Sequence, residues 1–131
     1  MFGRISPSCY DERLAPDRFT LREVVAHLAD LEPVIKWRME LALSSPGAEI
    51  PNWDQDAEAL AKNYSTWEVP ATLELFANER AKTVELFESL SDEETRMPLQ
   101  HPILGVISIF DIASFTLGHD CYHFEQVSHY L

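Results

Sequence analysis

Apolar residues recur at three- and four-residue steps in three stretches of the chain, the spacing that gathers side chains on one face of an α-helix. The first stretch carries Val24, Leu28, Leu31, Val34, Ile35 and Leu41. It opens on Thr20 and Glu23, spaced so that each side chain can satisfy a backbone N–H left unpaired in the first turn, with Phe19 and Val24 placed as a hydrophobic staple. The pattern predicts a helix to about Ser44, kinked at Pro33 where one backbone hydrogen bond is lost. The second stretch takes Pro70 as a first helical position and continues through Leu73, Phe76, Ala77, Val84, Leu86, Phe87 and Leu90 to a polar turn at Ser91. The third starts on Ser108 and Asp111, with Ile107 and Ile112 as its staple, and runs to about Tyr130.

Between these stretches, Ser44 to Trp53 reads as a loop and Asp54 to Tyr64 as a short helix. Pro98, Pro102 and Gly105 mark another connection, and no strand pairing is expected. Residues 1–19, with Gly3, Pro7 and Pro16, show no period of either kind and read as an irregular lead-in. The expected fold is all-α, with residues 20–131 forming a single helical domain.

A length of 131 residues suits one core without disulfides. Twenty-two acidic against ten basic side chains give a formal charge of -12, which repels a phosphate backbone and an anionic membrane surface and argues against nucleic acid as a partner. No apolar run approaches the roughly 20 residues of a membrane span, and no basic, signal-like start is present, so a cytoplasmic location is expected. Cys9 and Cys121 form no C-x-x-C pair and read as reduced thiols, Cys121 as a packed one.

His119 and His123 are four residues apart, so on a helix they stand one turn apart on one face and can share a cation. Asp120 follows His119 where an H-E-x-x-H protease carries glutamate, which removes that motif's general base. The face that holds the pair also holds Ile112, Phe115, Thr116, Gln126 and Tyr130 and should point inward. His27, between Val24 and Leu31, is core-facing on the first helix. Packing of the two helices could bring three neutral imidazoles to one point with a coordination position left open, as in a catalytic rather than a structural metal centre. Ordinary hydrogen-bonded core histidines remain the competing reading. His101, in a proline-flanked loop, and His129, about 80° off that face at 100° per residue, are assigned no ligand role. Trp37, Trp53, Tyr64, Trp67 and Phe76 could line a pocket but suit a core better, and Arg38 and Arg80 are expected in surface ion pairs.

Three segments resemble the DinB-like family of metal-dependent helical bundles, which includes bacillithiol transferases and is related to mycothiol-dependent maleylpyruvate isomerases. They are Pro16 to Leu28, containing His27; His101-Pro102-Ile103-Leu104-Gly105 before the final helix; and the H-D-x-x-H-x-x-Q run from His119 to Gln126. The resemblance implies a DinB-like bundle in which His27, His119 and His123 ligate a divalent ion such as zinc or nickel, with Asp120 and Gln126 behind them. It departs from the family pattern at the start, where only the irregular residues precede Thr20 in place of a long helix. Apolar faces left uncovered by that shortfall lead to the expectation of a homodimer.

Function is expected along one of two lines. In the first, the ion activates a low-molecular-weight thiol cosubstrate, or water, against a small electrophilic substrate, giving a thiol S-transferase or related hydrolase. In the second, the chain is a non-catalytic metal-binding module serving stability, stress response or sensing.

Overall fold

A computed structural model describes residues 2–131. Four α-helices form among them: α1 (Leu21–Ser44), α2 (Gln55–Ala61), α3 (Val69–Ser89) and α4 (Ile109–Ser128). Both expected capping boxes are present. The Thr20 hydroxyl accepts from the Glu23 N–H at 3.2 Å while the Thr20 N–H donates to the Glu23 carboxylate at 2.8 Å. Ser108 and Asp111 repeat the exchange at 3.1 and 2.8 Å. α1 continues as helix through Pro33, and Pro70 lies in the first turn of α3.

α1 is the central element, packing most extensively on α3 and also on α4. The apolar contacts divide into two clusters at opposite ends of α1. Ile35, Met39 and Ala42 meet Ile109 and Ile112 at one end, whereas Leu21 and Val24 meet Val127 at the other. The order is that of two antiparallel helices, and it leaves the middle of α1 facing the middle of α4. The positions between the clusters are those of the three histidines.

Two expectations need correction. The segment from Pro98 to Ser108 is a β-hairpin, with β1 (Pro98–His101) antiparallel to β2 (Gly105–Ser108). Leu99 and Ile107 form a cross-strand pair that is buried in the first cluster, while Gln100 and Val106 face out. That is a period-two pattern too short to stand out in the sequence. Gly105, at φ +73°, supplies the left-handed residue that a three-residue hairpin loop calls for. The lead-in, in turn, is not without order: short 3-10 turns at Phe2–Arg4 and Pro7–Cys9 place Ile5, 5% exposed, in the second cluster.

Candidate metal centre

His27 projects from the second turn of α1, and His119 and His123 project from successive turns of α4. Nε2 of His119 lies 2.9 Å from Nε2 of His27 and 3.1 Å from Nε2 of His123. One ligand atom from each ring lies within 4.8 Å of the others. Nitrogens bound to zinc at about 2.0–2.1 Å stand about 3.3 Å apart when tetrahedral, so the observed separations are close to those a shared ion requires.

The protonation states fit as well. Burial lowers the pKa of His27 to about 3, with the charges of the other two histidines adding to the effect. Burial lowers His123 to about 4 against the opposing hydrogen bond to Gln126. His119 is lowered chiefly by burial, with Asp120 pulling the other way. All three are therefore neutral near pH 7 and carry lone pairs. Gln126 selects which nitrogen of His123 offers its lone pair. Its amide nitrogen points to the Phe19 carbonyl at 3.5 Å, and its Oε1 accepts from His123 Nδ1 at 3.2 Å, which leaves Nε2 unprotonated toward the cluster. His27 Nδ1, by contrast, is buried without a partner. The His27 ring is held instead by packing, with Trp53 at 5.5 Å and Phe19 at 5.8 Å between ring centroids.

These shifts predict acid sensitivity of the metal-free protein. A histidine of pKa 6.5 in the unfolded chain takes up a proton that folded His27 and His123 refuse until about pH 3 and 4. Their contribution to stability is complete above about pH 6.5 and is lost as pH falls toward 4. Urea unfolding midpoints should fall from pH 7 to pH 5, and His123→Gln should flatten that slope.

The other singled-out residues are distributed differently. Asp120 makes no hydrogen bond to a histidine; Arg80 holds it through two bonds, one of them 3.1 Å from Nη2 to Oδ1. Arg80 Nε also lies 2.9 Å from Oε1 of Glu32, whose side chain is 0% exposed. That N–H is off line, so the contact is charge pairing rather than a directed bond, and Glu32 Oε2 has no partner. Arg80 therefore sits in a buried network, not in the expected surface pair. Arg38 also departs from expectation, since it makes no ion pair among the described residues and its Nε is buried without an acceptor. Cys121 is exposed, not packed, because it lies on the outer face of α4. His129 pairs with Glu125 at the surface, and His101 at the end of β1 accepts the Ile103 and Leu104 N–H groups at Nδ1.

Glu32 and Arg38 were both open to discovery in the sequence. Glu32 completes the stripe Leu28, Glu32, Ile35, Met39, an acid where an apolar residue belongs. Arg38 extends the stripe His27, Leu31, Ile35 by three residues.

A helical bundle whose two central helices bring three neutral imidazoles within reach of one ion defines a class of metal-binding helical proteins. The chain belongs to the DinB superfamily, whose family model matches residues 1–127. It is 23% identical over 129 residues to an Oceanobacillus iheyensis protein named provisionally as a metal-dependent hydrolase, spanning 95% of this chain and 74% of that one. The fold is similar to that of YfiT from Bacillus subtilis, described as a probable metal-dependent hydrolase with an unusual four-helix bundle topology. The TM-score is 0.87 at 22% identity, over 95% of this chain and 72% of the other. No helix among the described residues is long and apolar enough to cross a membrane.

Proposed function

We propose that this protein is a divalent-metal-dependent enzyme in which His27, His119 and His123 hold an ion of the zinc or nickel type and a small electrophilic substrate is attacked beside it. The observation that carries the reading is the convergence of three desolvated, neutral Nε2 atoms at 2.9 and 3.1 Å. Imidazoles so buried need a partner, and a shared cation supplies one to all three. A bound ion would lower the pKa of a water or low-molecular-weight thiol and polarise the group it attacks. The chain's own residues do the rest. Gln126 keeps His123 in its ligating tautomer, Trp53 and Phe19 shield the His27 ring, and Arg80 binds the carboxylate of Asp120, the residue after His119.

The names of the two relatives favour water as the nucleophile, whereas the DinB-like resemblance to bacillithiol transferases favours a thiol. Model esters and alkyl halides, offered with and without bacterial thiols to protein stripped and then reloaded with zinc or nickel, should separate the two. Turnover should vanish on chelation and return with metal. Turnover that persists in stripped protein would rule out the reading. Metal-loaded protein inert to every pair would favour a non-catalytic module.

A further inference from the structure

A cavity of about 180 Å³ runs between α1 and α4 beneath the hairpin, with His119 at its edge and Arg38 and His101 also lining it. Its remaining wall is largely apolar, including Leu31, Ile35 and Ile112. Arg38 follows His27 by eleven residues. Three turns and some 20° later, it lies on the same helix face, about 16 Å farther along the axis. The cavity thus joins the histidine cluster to a guanidinium.

That guanidinium lacks what arginines in such places have. It has no carboxylate partner among the described residues, and its Nε is out of water with no acceptor. Arg18, which also borders the cluster, is exposed and lies over the Tyr122 ring, so it carries no such deficit. Arg80 shares the unaligned Nε but already has two carboxylate partners, Asp120 and Glu32. Beside Arg38, the two backbone N–H groups donating to His101 Nδ1 place the ring proton on Nε2, a free donor. Burial and the charge of Arg38 both hold His101 in that neutral form.

We propose that the cavity is a substrate subsite for small carboxylic acids: Arg38 and His101 take the carboxylate, the aliphatic wall takes a short hydrocarbon body, and the group to be attacked lies at the His119 end. An arginine fork matches a carboxylate in shape and charge, and the acid would supply the partner that the buried Arg38 Nε lacks. At about 30 Å³ per water, the volume is that of roughly six waters, which limits the body to a few carbons or one ring. The placing of the reacting group rests on the metal reading above; the carboxylate end does not.

The test is calorimetric titration of benzoate and its neutral isostere benzamide into metal-free and zinc-loaded protein, with zinc content measured on the same samples. Benzoate should bind both forms, and benzamide should bind roughly ten- to a hundredfold more weakly, as the loss of a charged hydrogen-bonded contact predicts. Arg38→Met should abolish the preference while leaving zinc content and melting temperature near wild type. Arg38→Lys, which keeps the charge and loses the fork, should restore part of it and guards against misfolding of the first variant. Equal binding of the two ligands, or benzoate binding indifferent to Arg38, overturns the subsite. Benzoate bound only by zinc-loaded protein and unaffected at Arg38 also overturns it, with the metal reading left standing. Arg38-dependent benzoate binding in protein that takes up no zinc would uphold the subsite and sink the metal reading.

Discussion

Alanine at His27, at His119 or at His123 should each strip the protein of most of its metal, whereas alanine at His101 or His129 should leave the load intact. The split follows from placement. Each of the first three contributes one nitrogen to a cluster spanning no more than 4.8 Å, and removing any one leaves two imidazoles, too few to hold an ion of catalytic type tightly. His129 is tied to Glu125 at 2.7 Å on the surface, and His101 is turned to the hairpin backbone. Elemental analysis of protein purified without a chelating column reads the result directly. Stability gives an independent reading. An ion bound only to the folded chain adds about 2.7 kcal/mol at a hundredfold excess over its Kd, so a chelator should lower the melting temperature of the second group and barely move the first. Five variants with one common metal content would reduce the cluster to hydrogen-bonded core histidines.

The helices are legible in the sequence because their signals are local. A capping box needs only Thr20 and Glu23, and an amphipathic face needs only one stretch of chain. The histidine trio is legible for a related reason: helical phase places His27, His119 and His123 on inward faces without knowledge of how the helices cross. The hairpin is not, because four-residue strands carry two alternations each and their partner is set by tertiary packing of Leu99 and Ile107. Nor is the order of the first residues, since the 3-10 turn before Ile5 has no period to read. The arginines fail differently. Counting acidic neighbours in sequence suggests surface pairs for both, yet the partners of Arg80 come from α1 and α4, and Arg38 has none among the described residues. Charges find partners across the fold, and only geometry chooses them.

The network around Arg80 carries the second large effect. One guanidinium, a quarter exposed, balances two carboxylates that are 0% and 13% exposed. The three groups bear a net negative charge, and the members are not equivalent. Glu32→Gln leaves Arg80 and Asp120 as a one-to-one pair and should cost about 1 kcal/mol or less, the ordinary price of a neutral for a charged contact. Arg80→Met leaves the buried Glu32 and the largely buried Asp120 with no cation and should cost about 3 kcal/mol, the lower end for breaking a buried pair because water reaches part of the site. Urea unfolding of the metal-free wild type and both variants at pH 7 measures the two losses. A loss below about 1 kcal/mol for Arg80→Met, or one no larger than that of Glu32→Gln, would show that Arg80 does not neutralise the buried acids.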